Sequence, residues 1–307
     1  MPTEIVREAA LEPDYLEYAV SIRQRLESRL NHLLDGSSAI PENLTAAMEH
    51  ALLAPGKRLR PLLLYLIAEP EPALEEAALD LSCAVEMVHT ASLVLDDLPC
   101  MDDANMRRDR PTTHVAFGQA TAILSAIALL TRAFGVISEL KVPASKRARL
   151  ASILSAAVGH KGLVAGQEID LNGRSTLLGV EDVENLNWLK TGTLFVASAE
   201  MGAVFRGMGA ENTLEVRRFA RHLGLAFQTA DDLLDAFGDA QEAGKDVNKD
   251  GDKATIVTLH GPGHAQLTCR HHLDAAERAL LASGISPEPI QALMAKYLKS
   301  KMSFNGQ

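Results

Sequence analysis

Leu81-Ser82-Cys83-Ala84-Val85-Glu86-Met87-Val88-His89-Thr90-Ala91-Ser92-Leu93-Val94-Leu95-Asp96-Asp97-Leu98-Pro99-Cys100-Met101-Asp102-Asp103 runs from almost unbroken apolar character into four aspartates. Leu81, Val85, Val88 and Leu95 recur at helical spacing on one face, and Ala84, Met87, Ala91, Val94 and Leu98 on another. A helix apolar nearly all round belongs in the centre of a bundle, and Pro99 ends it. Adjacent carboxylates repel, and burying them without a counter-charge is costly or raises a pKa. One Asp-Asp pair reads most simply as a solvated helix end. A second cluster, Asp231-Asp232-Leu233-Leu234-Asp235, interrupts another mostly apolar helix, with Gln228, Asp231 and Asp235 on one face. Two such clusters fit a hard divalent cation such as Mg²⁺, bound through a few carboxylates and substrate phosphate oxygens. Neither has the alternating acidic loop of an EF-hand calcium site.

Around this core the chain reads as helix after helix. Leu16, Val20, Arg23, Leu26 and Leu30 mark one face, and Gly36 to Pro41 is a breaker cluster. Further helices are expected over Thr45–Leu53, Pro61–Ala68, Leu74–Leu98, Thr121–Leu140, Arg147–Leu163, Glu184–Met208, Asn212–Phe237, His264–Ala282 and Pro287–Lys301. Met101–His114 reads as loop and helix end, and Gly173–Gly179 and Asp239–Asp252 as loops. No strand signal, repeat or composition shift intervenes, so residues 1–307 are expected to form one all-α, single-domain helical bundle of about ten helices. Aromatic residues at 4% suit helix packing better than sheet.

The 40 acidic residues outnumber 30 Lys plus Arg, for a net charge of -10, which argues against nucleic acid as a partner. The N-terminus has neither a secretory nor a transit-peptide pattern, and no uninterrupted apolar run approaches a membrane span, so a cytoplasmic location is expected. Three scattered cysteines (Cys83, Cys100, Cys269) suggest neither a disulfide framework nor a zinc site.

Basic residues accompany the carboxylates. Gly56-Lys57-Arg58-Leu59-Arg60-Pro61 sets Lys57 and Arg60 three apart, as on one helical face, and His89 lies seven residues before Asp96. Arg107-Arg108, Lys190-Thr191, Lys245 and Lys253 follow. Singly, each would be a solvated surface charge. Beside two metal-type clusters they suggest a polyanion site, with one diphosphate clamped through Mg²⁺ and a second held directly by Lys57, Arg60, His89 and Arg108. No P-loop motif is present.

In this order, the motifs resemble those of the trans-isoprenyl diphosphate synthases. Asp96–Asp102 resembles the first aspartate-rich motif in its longer form, and Asp231–Asp235 the second. Gly56–Pro61, Arg107-Arg108 with Pro111-Thr112, Gly166-Gln167-Glu168-Ile169-Asp170, Lys190-Thr191, Phe227-Gln228 and Gly244-Lys245-Asp246 also match. The resemblance spans roughly Pro55 to Gly261. Within the family, the stretch Ala91–Ala104 is most similar to bacterial carotenoid-pathway geranylgeranyl diphosphate synthases. Asp109-Arg110 departs from the usual Gly-Lys or Gly-Arg, and the tail Lys299-Ser300-Lys301-Met302 is only weakly basic.

The resemblance implies the isoprenoid synthase type I fold, a bundle with a deep central cavity, assembled as a homodimer. It implies that three Mg²⁺ join Asp96, Asp97 and Asp102, and across the mouth Asp231 and Asp235, to an allylic diphosphate, with Arg107, Lys190 and Lys245 adding charge. It also implies that the Lys190 carbonyl, the Thr191 hydroxyl and the Gln228 amide oxygen face an allylic carbocation, which the double bond of isopentenyl diphosphate attacks. The released diphosphate would take the proton. One helical turn below Asp96 stand Ser92 and Ala91, both small, so the tail can pass. That favours a C20 product, geranylgeranyl diphosphate, over C15 farnesyl diphosphate, with the floor deeper at Met87, Val88 or the Thr121–Leu130 helix. The rivals are a class I terpene cyclase, whose second metal motif is an Asn/Asp-Ser-Glu triad that Asp231–Asp235 lacks, and a regulatory subunit, which would have lost metal ligands.

Overall fold

The computed structural model describes residues 13–34, 41–173, 179–237 and 256–302. Helix α1 (Pro13–Leu34) and helix α2 (Glu42–Leu52) lead to α3 (Leu59–Ala68), in which Pro61 to Ala68 are all buried. A short 3₁₀ turn (Pro72–Leu74) starts the central helix α4 (Glu75–Asp96). α4 buries residues on every side, Leu81, Val85 and Val88 together with Ala84, Met87 and Val94, as its pattern requires. After its end come a two-residue antiparallel ladder, β1 (Met106–Arg107) with β2 (Arg110–Pro111), and the short α5 (Thr113–Phe117). α6 (Gln119–Glu139) lies against α4, and α7 (Ala144–Val158) follows.

α8 (Leu163–Glu168) runs into a π-helical turn (Ile169–Gly173), and α9 (Val180–Asn187) into a second one (Trp188–Gly192), from which α10 (Thr193–Arg206) continues. α11 (Ala210–Phe237), α12 (Ile256–Ala282) and α13 (Pro287–Met302) complete the described chain, and α12 leaves its helical path at Gly261 (φ 80°, ψ 167°), just before Pro262. One apolar core extends from α1 to α13. A smaller cluster of Val183, Leu233, Val257 and Ala265 joins α9, α11 and α12. α3 and α10 approach unusually closely, since a Cβ on Gly202 would stand 2.7 Å from the Leu64 carbonyl oxygen.

The all-α expectation holds, with corrections. Arg147–Leu163 is not one helix, because the chain turns at Gly159 and Gly162 before α8. Glu184–Met208 is divided by the second π turn. The Met101–His114 loop contains the small ladder and the start of α5. Among the described residues two helices, Pro72–Asp96 and Gln119–Glu139, are long and apolar enough by length and composition to cross a membrane, which uninterrupted runs alone had not indicated. Of the most apolar 18-residue stretch of each, 72% is buried within the fold in the first and 39% in the second.

Candidate active site

The end of α4 is folded back on itself. The Met101 and Asp103 amides donate to the Leu98 carbonyl at 2.9 and 3.1 Å, and the Asp102 amide donates to the Asp96 carbonyl at 2.9 Å. Asp103 takes a left-handed conformation (φ 47°) to allow this. The fold-back sets the Asp102 carboxylate beside that of Asp96, and the Lys190 ammonium lies 4.0 Å from an oxygen of each. Lys190 also donates to Asp170. Burial pushes the Asp96 carboxyl up to about 6, against the pull of Lys190 and with the help of Asp102. Burial alone would depress Lys190, but Asp96, Asp170 and Asp102 outweigh it and hold its pKa above the usual value. Two half-buried carboxylates converging on one point fit a hard divalent cation, which would relieve their mutual repulsion.

Asp97 departs from the expectation. It is buried, and Arg107 grips it, with Nε at 2.7 and 2.9 Å from the two carboxylate oxygens and Nη2 at 2.7 Å. Its carboxylate is therefore engaged by β1, while Asp96 and Asp102 share the mouth. Burial raises the Asp97 pKa, and Arg107 works against the rise. β1 and β2 are linked by Arg108 and Asp109, both left-handed (φ 53° and 60°). A two-residue hairpin of this type I′ form has positive φ at both central positions, which an Asp at 109 adopts at some conformational cost compared with Gly.

The basic segment before α3 is not a helical face. Arg58 is left-handed (φ 51°) and caps α3, so Lys57 lies ahead of the helix and Arg60 in its first turn. They meet because Arg58 turns inward. Its guanidinium binds Glu86 of α4 at 2.5 Å and the carbonyls of Leu52 and Ala54 at 2.8 Å each. The same Glu86 oxygen lies 3.9 Å from Arg108. Arg60 stacks its guanidinium 4.5 Å above the Phe195 ring and donates from Nη1 to His89 Nε2 at 3.3 Å. Because arginine can only donate, that ring nitrogen accepts and the proton sits on Nδ1. Burial, with Arg60, Arg108, Arg107 and Arg58 nearby, holds His89 well below the usual histidine value, so it is a neutral partner and not a cation. Burial lowers Arg60 to about 10, which leaves it charged at neutral pH.

A cavity of about 590 Å³ unites these groups. Lys57, Arg60, His89, Arg107 and Arg108 line it together with Thr191, Phe195, Phe227, Gln228 and Asp231. Among the described residues six cationic side chains and three carboxylates line it, as suits a polyanion. The Thr191 hydroxyl donates to the Gln228 amide oxygen at 3.0 Å, and the Gln228 NH₂ donates to Asp232 at 2.8 Å. Asp232 thereby fixes which way the amide points. Of the chain-length pair, Ala91 is buried, while Ser92 is half-buried with its hydroxyl on the His89 carbonyl at 2.8 Å. Asp235 lies one turn after Asp231 on α11, its side chain outside the described region, and Lys245 and Lys253 lie outside the described residues.

Sequence reasoning quoted Arg58 and Asp170 within motifs without giving either a role, and it passed over Glu86 and any site role for Arg23. Arg23, read as one position on the α1 helix face, also lines the cavity. Glu86 had a signal: it is a carboxylate in the mostly apolar middle of α4.

A cavity lined by clustered cations and Asp231, together with the Asp96, Asp102 and Lys190 group at the end of α4, is the charge arrangement of a diphosphate-handling transferase. The sequence model described as polyprenyl synthetase matches residues 41–277, and the chain belongs to this family of prenyltransferases. Its relatives include a geranylgeranyl diphosphate synthase of Pantoea ananas, 44% identical over 84% of this chain and 85% of the relative. A farnesyl diphosphate synthase of Geobacillus stearothermophilus is 40% identical over 84% of this chain and 88% of that one. Among solved structures, a geranyltransferase of Helicobacter pylori complexed with magnesium and isoprenyl diphosphate superposes with a TM-score of 0.83 at 32% identity, covering 94% of this chain and 98% of that one. The chain is thus a trans-prenyl diphosphate synthase of the all-α isoprenoid synthase fold.

Proposed function

We propose that the enzyme condenses isopentenyl diphosphate with an allylic diphosphate (dimethylallyl, geranyl or farnesyl) and releases all-trans geranylgeranyl diphosphate. The observation that carries this reading is the single cavity joining Lys57, Arg60 and Arg108 to Thr191, Gln228 and Asp231. It gives a second diphosphate its own cations beside the place where a carbocation would form, which a cyclase does not need. Asp96, Asp102, Asp231 and Asp235 would hold Mg²⁺, three ions by family resemblance, with Asp97 serving through Arg107. Bound there, the metal supplies Lewis-acid polarisation of the departing diphosphate. Arg107 and Lys190 orient the allylic diphosphate. The Thr191 and Gln228 oxygens present their negative ends to the developing cation. Lys57, Arg60 and Arg108 hold isopentenyl diphosphate with its double bond toward that cation, and His89 orients Arg60. The departing diphosphate takes the proton, so no carboxylate need act as general base.

Incubation with isopentenyl diphosphate and each primer, with and without Mg²⁺, tests this. A C20 end product supports the full reading. A C15 end product overturns the length assignment, and absence of condensation overturns the reaction.

The homodimer is proposed from α6. Ile123, Leu124 and Ile127 are 40%, 57% and 52% exposed, in line with Ala120 and Thr131 at helical spacing. An apolar stripe of this kind suits the same helix of a second copy about a two-fold axis.

A further inference from the structure

Gly166-Gln167-Glu168-Ile169-Asp170 and Lys190-Thr191 are separate in sequence and meet as two irregular turns. Asp170 lies in the π turn Ile169–Gly173, and Lys190 in the π turn Trp188–Gly192. A π turn carries one extra residue and so re-aims the side chains within it. Here Lys190 Nζ donates to Asp170 Oδ2, and the Asp170 carboxylate is buried at 6% exposure. The two backbones touch to permit this. A Cβ on Gly166 would stand 2.4 Å from the Lys190 amide nitrogen and 2.8 Å from its Cα. Lys190 is at the same time 4.0 Å from Asp96 and 4.0 Å from Asp102. Three carboxylates therefore surround one ammonium, and Asp170 holds the hydrogen bond.

We propose that Asp170 is a positioning residue that retains the Lys190 ammonium at the edge of the Asp96–Asp102 mouth. Held there, the ammonium leaves those two carboxylates to a divalent cation and still faces the diphosphate. Without the Asp170 carboxylate, the ammonium would move onto Asp96 and Asp102 and compete with the metal. Gly166 serves the same end by letting the two turns close. The inference rests on the prenyl-transfer reading above.

The test is calorimetric binding of magnesium pyrophosphate to the full chain. Failure of the wild type to bind would sink the prenyl-transfer reading itself. With wild-type binding established, Asp170→Asn should weaken it by about tenfold, raise the KM of the allylic substrate similarly, and leave the KM of isopentenyl diphosphate unchanged. Asp170→Glu should recover most of the loss. In a Lys190→Gln background, Asp170→Asn should add nothing, since its effect runs through the lysine. Equal binding by wild type and Asp170→Asn, or a full additional loss in the Lys190→Gln background, would overturn the proposal. Should Asp170→Asn fail to fold, nitrogen-15 spectra of the wild type decide the matter. A slowly exchanging Lys190 ammonium signal that persists after magnesium pyrophosphate is added supports the proposal, and its loss overturns it.

Discussion

Arg58 and Arg60 lie two residues apart and have opposite surroundings. Arg58 is buried on Glu86 and two carbonyls, so its charge is consumed inside the fold. Arg60 has an aromatic ring and a neutral imidazole for partners, and it faces the cavity. Arg60→Ala should therefore raise the KM of isopentenyl diphosphate by roughly 30-fold or more, by loss of a desolvated charge pair, with the allylic KM little changed. Steady-state kinetics with each substrate varied checks it. His89 gives a pH signature. In the unfolded chain it titrates near the usual 6.5, and in the folded chain well below. Below 6.5 the unfolded chain takes a proton that the folded one refuses, so this contribution to stability is present above 6.5 and is lost as pH falls. Urea denaturation of His89→Gln should show a shallower loss of stability between about pH 6.5 and 5 than the wild type.

At the scale of elements, α4 and the turn after it were legible because their signal is compositional: apolar residues all round, then paired carboxylates. The two π turns were not. Glu184–Met208 keeps helical periodicity throughout, and one extra residue in a turn changes neither composition nor polarity. The left-handed Arg58 was hidden for a related reason, since Lys57-Arg58-Leu59-Arg60 reads as a helix start and only the distant Glu86 draws Arg58 inward. The aspartates and Lys57, Arg60 and Arg108 could be found by residue type. Asp170 and Glu86 act through a partner far off in sequence, which spacing does not reveal. The prediction that belongs to α4 concerns product length. Ala91→Tyr or Ser92→Phe should shift the major product from C20 towards C15, as read by chromatography of the dephosphorylated alcohols. An unchanged product would place the length determinant elsewhere.

For the whole molecule, the acid excess and the apolar helices acquire locations. Part of the acid surplus gathers at the end of α4, where Lys190 lies between carboxylates. The α6 stripe is the part of an apolar helix that the fold leaves uncovered. Ile127→Glu on that stripe should convert a dimer to a monomer in sedimentation velocity while helical content stays unchanged. A wild type that sediments as a monomer would remove the basis for the dimer. The Arg58–Glu86 brace reaches beyond the residues it joins. It ties the end of α2, the start of α3 and the middle of α4 into one frame, so the pocket proposed for the second diphosphate is assembled by folding and not by its ligand. A receptor built in advance needs no earlier guest to give it its shape. Any compulsory order of substrate addition would then be imposed at the carboxylate mouth, where metal and diphosphate have still to assemble.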